Sequence, residues 1–437
     1  MAGTKRPDSI STRRQRIATM AREHPDWALT TLAHHIDQTW LLAAWKRTRK
    51  DGATGIDGQT AREYAENLEE NLGELEDRVK AFRYRAPPVR RTYIPKGDGG
   101  RRPLGIPTIE DKVVQRAFLM VLEPLYEEVF LDCSYGFRPG RSQHQALSAA
   151  REGLRTMGGG WVLDVDIKSF FDSVDHGILR DLVTKRVRDG VVCRMIGKWL
   201  KAGVMEDGVV QRGKRGTPQG GVISPLLANV YLHYAVDEWF EEQVKPRMRG
   251  RAFLVRFADD MVMGFEHEED ARRVLEVLRH RLARFELELH PEKTRLVYFG
   301  QRPRDGRRPG TFDFLGFTLY WGKSRKGRLI IRWKTSKKRR SRTLKELNQW
   351  MRRHRHRPVS EQQKTLDRKL RGHYNYFGLT MNIRALQAVY NRAVRLWRLW
   401  LDRRSQRGRM PWSRFQEVLK RHPLTRPRVV HSIYRNA

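Results

Sequence analysis

Between Phe253 and Phe265 two apolar runs flank an acidic pair, Asp259 and Asp260. Phe253, Val255 and Phe257 recur at period two, and the pattern carries Met261, Met263 and Phe265 along the same side beyond the acids. This predicts a buried β-hairpin with Asp-Asp at its bend. Adjacent carboxylates between apolar walls repel each other and lose hydration, which is costly unless cations sit beside them. A divalent metal resolves that conflict, and Mg²⁺ takes carboxylate oxygens together with substrate phosphates. An exposed Asp-Asp turn is the alternative, since Asp favours turns.

A second acidic island decides between these readings. Trp161, Leu163, Val165 and Ile167 alternate with Val162, Asp164 and Asp166, so a strand here puts both acids on one face. Asp is depleted in strands, and two such anomalies in one chain favour a shared metal site. Asp166 lies nearest the predicted strand end, where Ser169 is placed to cap a short helix.

The remaining pattern alternates helices with punctuated loops. Residues 1–16 are polar and basic and read as frayed. Helical spacing runs from Trp27 to about Lys50 and again from Ala61 to Phe82, with Thr54 to Gly58 as a loop between them. Val89 to Ile94 and Leu104 to Ile106 read as strands joined by a cation-rich turn. Helices follow at 111–130 and 142–154, separated by a Gly-, Pro- and Arg-rich loop from Tyr135 to Arg141. The glycines of Gly213 to Gly221 let backbone approach a ligand closely. They precede a helix at about 225–242 with Ser224 as its cap and Pro225 in its first turn. An amphipathic helix spans Glu269 to Phe285, Leu287 to Phe299 turns back into a strand, and Phe312 to Leu319 forms a short hairpin or bend. Beyond Trp321 the composition shifts. Sixteen Lys or Arg and one acid, Glu346, fall between Lys323 and Arg357, which places a domain boundary near 320–335. Leu344, Leu347, Trp350 and Met351 set a helix inside that basic tract, and Ile383 to Leu401 forms another. The aromatics interleaved with these cations are read mainly as the core of a small helical domain with cations facing outward.

Charge then narrows the function. The chain has 437 residues and a net charge of +37, which calls for a polyanion, and nucleic acid is the natural one. No apolar run reaches a membrane-spanning length, and the N-terminus lacks the apolar core of a signal peptide. Cys133 and Cys193 form no CxxC pair, so neither a disulfide framework nor a zinc finger is expected.

Taken together, these blocks resemble the group II intron-encoded reverse transcriptases, also called maturases, of the bacterial type. The resemblance runs from about Gly55 to the C-terminus. It rests on the basic hairpin 91–107, Ser134-Tyr-Gly-Phe-Arg-Pro-Gly140, Asp164-Val-Asp-Ile-Lys-Ser-Phe-Phe-Asp172 and Gly216-Thr-Pro-Gln-Gly-Gly-Val-Ile-Ser-Pro225. Arg256-Phe-Ala-Asp-Asp260, His290-Pro-Glu-Lys-Thr294 and Phe312-Asp-Phe-Leu-Gly-Phe317 complete it in the family's order. It implies an α+β right-hand polymerase fold: an N-terminal extension and start of fingers at 1–85, and fingers and palm at 86–320. A thumb or maturase region at 321–380 and a terminal stretch at 381–437 with a short DNA-binding segment would follow.

By the same resemblance, Asp166, Asp259, Asp260 and the Ile167 carbonyl bind two Mg²⁺ ions, with Mn²⁺ as a substitute. Asp164 stands two residues before the ligand position and is read either as supporting the ligands from behind or as structural. Lys293 stands where a proton donor to pyrophosphate is placed, and Phe171 where a bulky ring selects deoxynucleotides; Phe170 is the core member of that pair. Gln219 supports template and incoming nucleotide, and Arg91, Lys96, Arg101 and Arg102 grip triphosphate and template. Lys337, Lys338, Arg339, Arg340, Arg352 and Arg353 contact nucleic acid. Phe257 replaces the Tyr most common before Ala-Asp-Asp, which keeps the ring and loses a hydroxyl. Intron RNA, a template–primer duplex, target DNA and deoxynucleotides are the implied partners, with a homodimer allowed and a bacterial cytoplasmic location at the nucleoid. The chain ends at Ala437 with no Cys- or His-rich nuclease module, so priming is expected to depend on a nick or nascent strand supplied otherwise. A domesticated relative in DNA repair or phage defence, and a splicing factor with little polymerase activity, are the alternatives.

Overall fold

The computed structural model describes residues 9–95, 100–206, 208–211, 213, 215–216, 220–301, 306, 308–324, 326–405 and 408–432. Contacts divide the chain into two compact units, Met1–Ala146 with Leu163–Arg295, and Leu147–Val162 with Leu296–Ala437. The architecture is α+β.

The first unit opens with α1 (Ile10–Glu23), where the sequence pattern led us to expect fraying. Ser9 Oγ accepts from Thr12 N at 3.2 Å, Ile17 and Ala21 are buried, and Arg22 pairs with Glu128 at 2.9 Å. A cap and long-range anchors thus offset the weak hydropathy of this segment. The expected long helix from Trp27 is shortened to α2 (Gln38–Arg47), because Asp37 caps it and Leu29 instead bridges Val187. α3 (Ala61–Glu66) carries a capping box, and α4 (Leu68–Lys80) ends just before Phe82. β1 (Val89–Pro95) and β2 (Arg101–Ile106) form the basic hairpin, antiparallel with Arg91 opposite Gly105 and Ile94 opposite Arg102. α5 (Ile109–Glu127) runs through the interior with most of its side chains buried.

α6 (Gln143–Met157) leads into β3 (Trp161–Val165), followed by α7 (Phe170–Ser173), α8 (His176–Thr184) and α9 (Gly190–Lys201). Ser169 does precede α7, but it caps through its backbone: its carbonyl accepts from Asp172 N at 2.8 Å, and its side chain makes no cap bond. β4 (Val204–Glu206) and β5 (Val209–Gln211) complete a sheet of order β2-β1-β4-β5. α10 (Ser224–Leu232) starts at Ser224 rather than after it, with Ile223 at the cap position and no side-chain bond of its own. Two π-helical turns, His233–Asp237 and Phe240–Val244, continue it. β6 (Ala252–Phe257) and β7 (Asp260–Phe265) then form the expected hairpin, α11 (Glu268–Ala283) follows, and β8 (Arg295–Tyr298) ends a sheet of order β6-β7-β3-β8.

The hairpin register corrects the facing inferred from periodicity. Phe257 pairs with Asp260, Val255 with Val262 and Phe253 with Gly264. Paired residues share a face, so Met261, Met263 and Phe265 lie opposite Arg256, Leu254 and Ala252 instead. The two-residue bend at Ala258 and Asp259 is the cause: it shifts the odd-numbered set of one strand onto the even-numbered set of the other.

In the second unit, β9 (Phe312–Phe314) and β10 (Phe317–Lys323) are the predicted short hairpin. β11 (Leu329–Thr335), which the basic composition concealed, pairs with β10 along its whole length. Residues 147–162 join this unit through bonds such as Arg151 Nε to the Ile331 carbonyl, 3.0 Å, and Phe299 N to the Gly160 carbonyl, 2.7 Å. α12 (Lys337–Arg353), α13 (Val359–Phe377), α14 (Ile383–Asp402) and α15 (Trp412–Arg421) pack around buried Tyr374, Phe377, Trp397, Trp400 and Phe415. The aromatics are therefore mostly core, as read from the sequence, although Trp412 remains exposed. No described helix is long and apolar enough to cross a membrane.

Arg256 is held on every side of its guanidinium. Its guanidinium is fully buried and bidentate on Asp237, with Nε to Oδ1 at 2.7 Å. It also donates to Asn229 Oδ1 at 2.9 Å, to the Ala258 carbonyl at 3.0 Å and to Ser134 Oγ at 2.8 Å. Removing one partner of a buried pair strands the other charge. Arg256→Met should therefore cost about 3–5 kcal/mol in denaturant unfolding. Adding Asp237→Leu should recover a large part of that loss; an undiminished loss in the double variant would assign it to the other hydrogen bonds.

Candidate active site

Asp166 follows β3 directly and is clamped by the segment 288–294. Its carbonyl accepts from His290 N at 2.8 Å and from Thr294 Oγ1 at 3.3 Å, while Lys168 N donates to the Glu288 carbonyl at 2.9 Å. These bonds flank an antiparallel bridge between Ile167 and Leu289. In that pattern the bridged residues do not bond each other, so the Ile167 carbonyl points away from Leu289. The Ile167 side chain is buried, which fixes the backbone that presents this oxygen. Lys293 Nζ stands 3.4 Å from Asp166 Oδ1. Asp164 is turned to Arg295 at 3.3 Å.

Asp259 sits in the bend after Ala258, whose φ of 57° is left-handed. The bend is held by Arg256 and by close packing: a Cβ on Gly136 would lie 2.2 Å from Ala258 N, so only glycine lets this backbone pass. Burial pushes the Asp259 carboxyl above its ordinary range, and the charge of Asp166 adds to that rise. Its own backbone amide, Arg102 and Arg256 pull the other way without cancelling it. Asp260, exposed, begins β7 on the face of Phe257. Among the described residues, no three His, Cys, Asp or Glu side chains converge as a ready-made ion cage. The chemistry nevertheless suits a hard divalent cation: two mutually repelling carboxylates and one oriented main-chain oxygen.

The other expected site residues are distributed unevenly. Phe170 is buried and Phe171 half-buried, with ring centroids 5.3 Å apart. On the basic hairpin, strand register divides the arginines: Arg91 and Arg101 share one face, and Arg102 occupies the other. Arg91 lies 3.9 Å from Glu206, whereas Arg102 is the hairpin cation whose charge acts on Asp259. Lys96 and Gln219 lie outside the described residues. Lys337, Lys338, Arg339, Arg352 and Arg353 are exposed along α12 of the second unit, and Arg340 is half-buried there.

The glycine-rich block is anchored at both ends. Gly216 N donates to the Val174 carbonyl at 2.8 Å, and His176 Nε2 bonds the Gly216 carbonyl at 2.7 Å. A Cβ on Gly220 would meet the Gly105 carbonyl of β2 at 2.5 Å. Beyond it, Val222 N and Ile223 N both donate to Gln115 Oε1, at 2.7 and 3.2 Å, so a residue of α5 caps α10. Gln115 Nε2 in turn donates to Asp111 at 2.8 Å, which also accepts from Tyr84 Oη at 2.9 Å and Trp199 Nε1 at 2.8 Å. The sequence reading missed Asp111 and Gln115. Two polar residues one turn apart, in line with the apolar positions Val114 and Phe118, were the available signal.

Two carboxylates are thus held by separate segments, with a basic hairpin whose charge acts on one of them and a glycine-rich block anchored against that hairpin. Comparison with known proteins specifies the class. The profile of the family described as reverse transcriptase (RNA-dependent DNA polymerase) matches residues 94–319, and the chain belongs to that family. It is 34% identical over 362 residues to Protein YkfC of Escherichia coli (strain K12), covering 74% of this chain and 91% of that one. It is 35% identical over 278 residues to the group II intron-encoded protein LtrA of Lactococcus lactis subsp. cremoris, 60% of this chain and 45% of that one. Nuclear intron maturase 2 of Arabidopsis thaliana is 29% identical over 176 residues, 31% of this chain and 24% of its own length. The chain thus spans most of the first relative and less than half of the other two. The chain is thus a reverse transcriptase by family, and enzymes of this family use divalent metal ions.

Asp111 gives the anchored block a measurable signature. Burial pushes its carboxyl up to about 6, against the opposing pull of the bonds from Trp199, Tyr84 and Gln115. The native state therefore holds this proton more tightly than the unfolded chain. That contribution to stability is fully present below the unfolded value of about 4 and is lost as pH rises through about 6. In melts across this window, the stability of the wild type relative to Asp111→Asn should fall with rising pH and then level off. A difference independent of pH would show that this carboxyl does not titrate there.

Proposed function

We propose that this reverse transcriptase copies group II intron RNA into DNA, and that it also binds the intron RNA as a maturase to assist splicing. The observation that carries the polymerase reading is the pair Asp166 and Asp259. Separate segments bring them close enough for the Asp166 charge to act on the Asp259 carboxyl, as does that of Arg102. Asp166, Asp259 and Asp260, with the Ile167 carbonyl, are the residues that would hold two Mg²⁺ ions, with Mn²⁺ as a substitute. Bound there, such ions lower the pKa of a primer hydroxyl and neutralise charge on the triphosphate.

The chain's own groups supply position and protons. Arg102, whose charge acts on Asp259, is assigned to orient an anionic triphosphate, while Arg91 and Arg101, on the opposite face of the hairpin, are assigned to template. The Lys293 ammonium, 3.4 Å from Asp166, is the proton donor for departing pyrophosphate. Phe171, packed on buried Phe170, is the ring assigned to exclude a ribose 2′-hydroxyl. Gln219 is assigned to template and nucleotide support. Thumb and maturase roles fall to the helices beyond residue 321, and target DNA is the further partner.

Primer extension with Mg²⁺ and deoxynucleotides, on RNA and DNA templates of the same sequence, tests the polymerase reading. Asp259→Ala and Asp166→Asn should each lower extension by about three orders of magnitude, roughly 4 kcal/mol of barrier, while RNA binding and splicing assistance persist. Loss of splicing in folded Asp259→Ala would break the separation of the two roles.

The exposed cations of α12 support the maturase reading, because each phosphate contact releases counterions. Lys337→Ala with Lys338→Ala should reduce the slope of log affinity against log salt by about 1–2 for intron RNA. An unchanged slope would remove α12 from the RNA contact.

A further inference from the structure

The first unit carries a groove of about 700 Å³ that involves none of the residues placed at the acidic site. It is bounded by the end of α4, the segment leading to β1, and helices α8 and α9. Its floor is apolar. Its rim holds Arg85, Arg180, Arg194, Lys198 and Lys201, and no carboxylate is among the residues lining it.

Phe82, at the mouth, is anomalous twice over. It occupies the left-handed position just past the cap of α4, with φ of 59°. Glycine is the residue that normally takes this position. The ring is also 45% exposed. The backbone is nevertheless pinned in place: Phe82 N donates to the Val79 carbonyl at 3.1 Å. Lys198 Nζ donates to the carbonyls of Phe82 and Tyr84 at 2.8 and 2.6 Å. The Arg194 guanidinium lies 4.3 Å from the ring centroid. A bulky side chain held in a disfavoured conformation, with its ring largely in solvent, persists only where the surroundings impose it, and such positions cluster at functional sites.

We propose that this groove binds single-stranded RNA: one base stacks on the Phe82–Arg194 pair, and Arg85, Arg180 and Lys201 take the flanking phosphates. The choice of RNA as the strand rests on the polymerase and maturase reading above. Aromatic rings and guanidinium planes are the surfaces on which unstacked bases settle, and interspersed cations follow the backbone. An acidic peptide would satisfy the cations but leave the flat ring–guanidinium surface unused. The Lys198 amine is pushed below its ordinary range, first by burial and then by the charges of Arg194 and Arg85, as expected where positive charge is crowded without an anion. The volume suits one or two nucleotides rather than a duplex.

The test uses the full chain and a short oligo(A) carrying a single 4-thiouridine, photocrosslinked and mapped by mass spectrometry. An adduct on the peptides containing Phe82 or Arg194 is expected. Phe82→Gly should weaken it about tenfold, the loss of one stacked base. Its melting temperature should be unchanged or higher, since glycine suits the backbone, and Phe82→Tyr should restore the adduct. Adducts only elsewhere, or one undiminished in Phe82→Gly, would overturn the proposal. A lowered melting temperature with the adduct intact would make the ring structural and overturn it too. Polyglutamate competing as well as unlabelled oligo(A) would replace the RNA by an acidic peptide. The adduct requires no nucleotide addition, so Asp259→Ala should retain it whether or not the polymerase reading holds.

Discussion

A single buried guanidinium sets the geometry on which the acidic site depends. Arg256 is the penultimate residue of β6, and its planar fork reaches Asp237 on a π-helical turn, Asn229 on α10, Ser134 in the loop after α5, and the carbonyl of Ala258 in the bend itself. Asn229 closes the circuit by donating to the Gly136 carbonyl at 2.7 Å. Lysine could not hold this arrangement, because its point charge lacks the fork that serves several acceptors in one plane. The charge is tolerated in the interior because Asp237 neutralises it and the remaining N–H groups find oxygens. The bend carrying Asp259 is thereby fixed from below before any substrate arrives.

The acids themselves oppose this order. Asp259 is buried enough for its carboxyl to be pushed up, and Asp166 adds like charge. Strands and loops distant in sequence impose that proximity. Asp166 is clamped through its backbone to residues 288–294, and Asp259 through Arg256 and the close approach of Gly136. The two carboxylates thus hold a local excess of negative charge of the kind that cations relieve. The chain of bonds from Asp111 through Gln115 to the amides of Val222 and Ile223 does the same for the glycine-rich block, since a buried polar network holds one arrangement when every member is satisfied.

Cations and aromatics are sorted in the second unit as burial energetics demand. Trp397 and Trp400 lie inside, with their indole nitrogens satisfied by Gln362 and Asn348 at 3.0 and 2.8 Å. The cations of α12 line its exposed side. A net charge of +37 is compatible with a compact chain because so much of it sits at the surface, available to a polyanion.

By itself the sequence determined the hairpin with Asp259 in its bend, the strand leading into Asp166, the buried Phe170 and the strongly cationic surface. Each of these rests on local periodicity or on residue type, which short-range physics fixes. Tertiary structure decided what depends on partners remote in the chain. The bend length set the facing of Met261, Met263 and Phe265. Strand register separated Arg102 from Arg91 and Arg101. Long-range anchors turned residues 10–16 into helix, and pairing with β10 made a strand of the basic segment 329–335. Arg256, Asp111 and Gln115 took their roles only when distant elements closed around them, because the free energy of a buried polar group lies in the partners it meets, and local pattern does not name them.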